Sequence, residues 1–432
     1  MAQQKSSIEF SLLSQNDDLS YLYTKENKSE YEKLKLLKMK SNSTLSFGGS
    51  YRYQTEGFLN QQFVANNDDV WLLHRLLLHS QFKWKNKLQI FAELGSSTTT
   101  GKPEPDPVDK DVLNINQLLL AYSPNAQIKL TIGRENLLFG SRRLIDIREG
   151  PNVRRSFDLA RIDFMRNNLK ITGVFAVPVK NRDGVFDNEF LNFQEALSGI
   201  YFTKNYSSEH NFDVYYLFQK DDNTFYNSTS ENERRSSIGL RYFGNYAQFN
   251  FNTEGVYQLG TFGREDISAY TISAELEYTI GFANTNATLG LKTEVISGDK
   301  NPYDKKQGTF DALYPRGAYF GRVAQFGPAN LFDIHPYLNV NFHKFYLETD
   351  YVAFWRYSNK DAVYNAAVMP DFPSKNDEYF IGNQLGVLLG FSANNHLNFE
   401  LESNIIIPGP FLKESHLDNT LAHMVFTAEF KF

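Results

Sequence analysis

Between Asn286 and Ser297 the side chains alternate in kind. Ala287, Leu289, Leu291 and Val295 share one parity; Thr288, Gly290, Lys292 and Glu294 share the other. A side-chain period of two belongs to a β-strand whose two faces meet different surroundings. The same pattern recurs along the chain. Leu88, Ile90, Ala92 and Leu94 oppose Lys87, Gln89 and Glu93; Leu397, Phe399 and Leu401 oppose Asn398, Glu400 and Glu402. Phe345, Leu347, Tyr351, Ala353 and Trp355 oppose Glu348, Asp350 and Arg356. Strands of this kind are expected near 43–54, 70–84, 87–96, 113–123, 127–135, 156–166, 168–178, 195–204 and 210–219. Others follow near 235–244, 246–259, 266–280, 285–297, 331–342, 344–358, 378–392, 396–406 and 420–432.

The connections alternate in length. Short turns of Asn, Gly, Pro and Asp residues sit at 85–86, 124–126, 167, 205–209, 245, 281–285, 343 and 394–395. Long ones sit at 97–112, 136–155, 179–194, 220–234, 298–330, 359–377 and 407–419. A soluble sandwich or propeller has no reason to lengthen every second connection. A barrel inserted into a membrane from one side does. The reading is an all-β fold: a transmembrane antiparallel β-barrel of 18 strands with short periplasmic turns and long extracellular loops. Composition agrees. Mean hydropathy is −0.44, as polar as a soluble protein. Yet Phe and Tyr number 37 and 25, and no run approaches the ~18 apolar residues of a membrane helix. Half the strand residues facing lipid and half facing water give that combination.

Two domains are expected: an N-terminal segment, 1–42, and the barrel, 43–432. Lys28 to Lys40 sets Tyr31, Leu34, Leu36, Leu37 and Met39 among Lys and Glu, the pattern of a short amphipathic helix. It reads as a plug, as a periplasmic partner site, or as a helix packed on the barrel end. Ala2-Gln3-Gln4 has no apolar core behind it and suits a mature terminus left by signal cleavage, with Met1 added. The bacterial outer membrane is the expected location, with lipid and lipopolysaccharide as its surroundings.

The charge is unevenly placed. Ile128–Arg166 holds eight Arg and Lys129 against five acids, a formal +4, while the chain as a whole is −6. Arg suits carboxylate, phosphate or sulfate, because its planar fork donates two parallel hydrogen bonds. The other reading is that these arginines pair with Glu135, Asp146, Glu149, Asp158 and Asp163 to brace a loop. Both hold together if the loop folds into a water-filled lumen. Parity aims Arg52, Arg161 and Asp163 inward. Arg134 shares parity with Leu130 and Ile132, which aims it at lipid unless a bulge at Gly133 resets the face; that bulge is expected here.

Catalysis and cofactors find no support. Eight His are scattered without a ligand spacing, and no nucleophile elbow, P-loop or dinucleotide glycine run occurs. His423 could meet Ser46 or Ser50 only where the barrel closes. With no Cys, thiolate metal sites and disulfides are excluded. The negative net charge gives no case for nucleic acid.

Five segments in order carry a resemblance: SFGGSYRYQTEGF (46–58), LLHRLLLHSQF (72–82), IGRENLLFGSRRLIDIREGPNVRRSFDLARI (132–162), SGDKNPYDKKQGTFDALYPRGAYFG (297–321) with GPANL (327–331), and FWRYSNKDAVY (354–364). Read together they resemble the alginate export family of outer-membrane barrels, from about Leu34 to Phe432. That resemblance implies a monomeric 18-strand barrel passing an anionic polymer through an arginine-rich constriction. It assigns Arg52, Arg75, Arg134 and Glu135 to strands or strand ends at the constriction. Arg143, Arg148, Arg154 and Arg155 fall in the loop that narrows the pore, and Arg161 on the next strand. The sequence departs from the family at Ser50, where an acid is frequent. Its inner face is also acidic, at Glu275, Glu277, Glu294, Glu348, Asp350, Glu400 and Glu402. The expected function is passive diffusion of anionic saccharides or other small anions. The alternative is a plugged barrel that binds or assembles with a partner.

Overall fold

The computed structural model describes residues 7–226, 229–282 and 285–432. The expected mature terminus at Ala2 lies outside these, as do the tip of the 220–234 connection and the middle of the 281–285 turn. Eighteen long strands form one antiparallel sheet. In chain order they are β1 (Ser43–Leu59), β2 (Asp69–Trp84), β3 (Leu88–Thr100), β4 (Asp111–Tyr122), β5 (Ile128–Glu135) and β6 (Phe157–Arg166). Next come β7 (Leu169–Pro178), β8 (Glu195–Asn205), β9 (Asn211–Tyr226), β10 (Thr229–Tyr246), β11 (Phe249–Phe262) and β12 (Glu265–Phe282). The last are β13 (Thr285–Ile296), β14 (Leu331–Phe342), β15 (Phe345–Arg356), β16 (Phe380–Ser392), β17 (Leu397–Pro408) and β18 (Leu421–Lys431). Each pairs with its neighbour in sequence. β1 also pairs with β18, from Ser50 opposite Lys431 to Leu59 opposite Ala422, which closes the barrel. Closure removes the unpaired edge that a bilayer would not tolerate.

One expected loop is not a loop. Between 220 and 234, β9 and β10 run on as a hairpin, with Phe225 opposite Ser230 and Tyr226 opposite Thr229, past a register shift between Asp221 and Thr224. The charged run Asp221, Asp222, Glu231, Glu233, Arg234 and Arg235 hides the alternation, because both faces are ionic here: Glu233 pairs with Arg235 inside and Asp222 with Arg234 outside.

The inner wall departs from a simple lipid-out, water-in rule. Toward the extracellular end the inward residues are apolar: Trp71, Leu73, Leu159, Leu217 and Phe354 are buried. They share one core with Leu144 and Ile145 from residues 136–156, and with Phe310, Tyr314 and Phe326 from residues 298–330. Those two long connections therefore fold back into the barrel. Their burial satisfies apolar surface that extracellular water would otherwise meet.

At the periplasmic mouth the chain forms α1 (Ser20–Thr24) and α2 (Glu30–Lys35). Ser29 and Glu32 form a reciprocal capping box at the start of α2. The helix expected over 28–40 is shorter, because Leu37–Met39 is captured by β1, pairing with Leu45, Thr44 and Ser43. Lys35 is almost fully buried and donates to the Phe432 carbonyl at 2.9 Å. Gln15 is buried too; its carbonyl accepts from Gln81 Nε2 at 2.9 Å, and its amide lies 3.5 Å from Glu135.

Candidate functional site in the barrel lumen

Residues 136–156 cross the lumen. Asn136 anchors the base: its N–H donates to Gln117 at 3.1 Å, and its amide donates to the Arg155 carbonyl and Ser156 hydroxyl, both at 2.9 Å. Midway, the backbone at Ile145 pairs with that at Tyr314. Tyr314 N donates to Leu144 O at 2.8 Å and Asp146 N to Tyr314 O at 2.9 Å. The two inward loops are thus stitched together.

Most of the expected constriction arginines are occupied. Arg75 pairs with Glu149, and Arg154 reaches the other oxygen of that carboxylate at 2.5 Å. Arg52 donates to the carbonyls of Glu149 and Pro151, each at 2.8 Å. Two wall guanidinium groups, Arg52 and Arg75, thereby fix one turn of the loop, and Arg154 braces that turn from within the loop. Burial pushes the Glu149 carboxyl up, but the charges of Arg154, Arg75 and Arg52 overcome it and hold the group well below the usual carboxylate range. Arg143 extends to the far wall, pairing with Glu294 and lying 3.9 Å from Glu254. Arg161 faces inward and joins Glu135 at 3.1 Å and Asp163 at 3.0 Å. For these residues the bracing reading describes the contacts.

Arg134 is a correction. The register through Gly133 is unbroken: Leu118, Leu119 and Leu120 lie opposite Arg134, Gly133 and Ile132. No reset occurs, so Arg134 stays on the outer face and is not in the constriction. Gly133 is nonetheless needed, with φ +124° and its would-be Cβ 2.2 Å from the Leu118 carbonyl oxygen. The outward charge is neutralised by its cross-strand partner Asp158, at 2.8 Å and 3.0 Å. It sits at the strand ends, beneath residues 179–194, where an ionic group costs less than at the mid-plane.

Arg148 and Arg155 differ. Neither makes an ion pair among the described residues. Arg148 donates to the Val153 carbonyl at 3.4 Å. Arg155 donates to the Pro315 carbonyl at 3.2 Å and lies over the Tyr314 ring at 5.3 Å. Both line an extracellular-side cavity of about 460 Å³, with Lys180, Glu195, Asp221 and Asp311. A second lumenal cavity of about 440 Å³ lies toward the periplasm. Its wall is more acidic: Glu275 and Glu277 both accept from Tyr337, and Glu348 and Asp350 stand beside them. Two arginines of residues 298–330 line it and were not assigned from sequence. Arg322 joins Glu400 and is 3.4 Å from Glu402, whereas Arg316 makes no ion pair among the described residues. The Tyr-Pro-Arg-Gly of segment 297–321 held the available signal for Arg316. His423 binds Glu56 at 2.9 Å and lies opposite Phe58, well along the strand from Ser46 and Ser50.

A family model described as alginate export matches residues 43–424. The chain belongs to the alginate export family. Solved structures agree on the fold. Pseudomonas aeruginosa OccK11 (OpdR) aligns with TM-score 0.55 at 12% identity, covering 90% of this chain and 96% of that one. Pseudomonas aeruginosa OpdQ gives 0.59 at 12%, covering 90% and 97%. A BenF-like porin from Pseudomonas fluorescens Pf-5 gives 0.58 at 7%, covering 90% and 98%. Comparison with curated proteins finds no match. This alginate export family member is an outer-membrane barrel of porin-like fold, and its family is one of transport proteins.

Proposed function

We propose that the protein is a monomeric channel for passive diffusion of small anions, including short anionic saccharides. In this reading residues 1–42 form a periplasmic segment and 43–432 the channel. One observation carries it: Arg148 and Arg155 face a water-accessible cavity without a paired carboxylate, while the other lumenal arginines of the 128–166 segment are paired with carboxylates. An anion entering a low-dielectric tube loses hydration, and fixed positive charge offsets that cost. Glu195, Asp221 and Asp311 beside the pair keep the well shallow, so that the anion leaves again.

The test is the reversal potential in a salt gradient across a planar bilayer. Arg148→Ala with Arg155→Ala is expected to lower the anion-to-cation permeability ratio several-fold and to weaken block by uronate oligomers. An unchanged ratio would remove the assignment. A pH dependence follows as well. Burial pushes the Asp311 carboxyl up to about 6, with the charge of Glu233 adding to it and Arg235 opposing. As pH falls through 6 this side chain loses its negative charge, so anion preference is expected to rise between pH 7 and 5. Asp311→Asn should weaken that dependence, with Glu195 of the same cavity still contributing.

A second reading, a plugged barrel acting with a partner, draws on the apolar packing of the two inward loops and on Gln15 seated against the inner wall. Absence of any conductance steps from the full chain would favour it.

A further inference from the structure

The outer wall has a concave stretch that the transport reading does not use. Because β5 stops at Glu135, the Asp111–Gln117 half of β4 has no strand beside it on that side. Residues 179–194 fold over the outside instead. Val185 bridges Leu113 in parallel, and Phe186 N donates to the Leu113 carbonyl at 2.8 Å. This leaves Phe186 and Phe190 54% and 72% exposed on the membrane side of the barrel. Beneath them is a cavity of about 300 Å³ whose lining includes Ile115, Leu118, Arg134, Asp158 and the two phenylalanines. One residue pair further down the same strands a second hollow of about 470 Å³ begins, floored by Ala160 and Gly173 between Ile132, Ile162 and Phe175. The register makes the two continuous, since Arg134 and Asp158 are paired two residues along from Ile132 and Ala160.

The polar end of this groove is a guanidinium with donors to spare. Asp158 takes Nε and Nη2, and the bond of Nη1 is a 3.4 Å contact to the Ile115 carbonyl. The remainder is apolar, runs toward the mid-plane, and is kept hollow by a glycine and an alanine. An ionic head above an apolar trough on a lipid-facing wall matches one class of molecule, an amphiphile with an anionic head. The loop end of the barrel faces outward, so its leaflet is the lipopolysaccharide leaflet. We propose that this groove is a lipid A site, with a phosphate on Arg134 and an acyl chain across Ala160 and Gly173.

The test is native mass spectrometry of the full chain, purified in detergent and titrated with lipid A. Wild type is expected to take up one molecule, and Ala160→Trp to lose affinity by about tenfold or more, a change of about 1.4 kcal/mol. Arg134→Gln should weaken lipid A but leave enzymatically dephosphorylated lipid A unaffected. Ala160→Trp adds an aromatic ring to a face already bathed in lipid, so it serves even if Arg134→Gln folds poorly. Ile238→Trp, exposed on the outer face of β10 and four strands round the barrel from β6, is the control and should bind as wild type does. The proposal fails if both groove variants bind like wild type, or if Ile238→Trp loses as much. It fails equally if phosphatidylglycerol displaces lipid A at equal concentration, which would mark a general phospholipid contact.

Discussion

Glu149→Gln is expected to destabilise the barrel by about 3–5 kcal/mol, because removing one partner of a buried ion pair strands the other charge. Here two charges are stranded. Arg75 and Arg154 are both nearly inaccessible, and both depend on the one carboxylate. Arg52 then has no fixed carbonyls to hold, since Glu149 and Pro151 belong to the same turn. Residues 136–156 should leave the wall, and single-channel conductance should rise with increased current noise. Guanidine midpoints give the first effect and planar bilayers the second. The wild-type clamp should also survive acid. A carboxyl whose pKa is depressed in the folded state contributes stability above its unfolded pKa, and that is lost only as pH falls through the folded value. Unfolding should therefore show little change down to pH 4 on account of Glu149.

The second large effect is expected at Glu233. Its two oxygens receive Arg235 Nε and Nη2 at 2.7 Å and 2.9 Å, and both side chains are fully buried. Arg235 also donates to Gln258 at 2.8 Å and to the Thr309 carbonyl at 3.3 Å. Gln258 in turn donates to the Asp311 carbonyl at 2.6 Å. The pair therefore ties residues 298–330 to β10 and β11. Glu233→Gln should cost about 3–5 kcal/mol and free that loop. Combined with Glu149→Gln, the destabilisation should fall short of the sum. The two loops share the backbone pairing at Ile145 and Tyr314, and a pairing broken by the first release cannot be broken again. Chemical denaturation of the two single variants and the double measures the difference.

The barrel was legible because a strand between two solvents writes its parity into every residue. Ala287 to Val295 could be read without partners, and each of the eighteen strands lies where alternation places it. The hairpin of β9 and β10 was not, since Glu233 and Arg235 look like loop charge until each is seen to neutralise the other. The inward folding of residues 136–156 and 298–330 was equally hidden. Leu144, Ile145 and Tyr314 bury themselves against residues far away in sequence, and no local period records that. Charge excess pointed to the right loop but not to the right arginines. What separates Arg155 from Arg154 is whether a carboxylate lies within reach, a property of three-dimensional neighbours. At Arg134 the parity argument was sound, and the expectation of a bulge failed because Asp158 offers a cheaper remedy than a change of register.

The most direct measurement is the sign of the wild-type reversal potential in a tenfold KCl gradient, at neutral pH and with the full chain in a planar bilayer. Arg148 and Arg155, left unpaired on the extracellular side, predict a current carried mainly by chloride. A current carried mainly by potassium would mean that the acidic wall near the periplasm sets the selectivity, and would contradict the account.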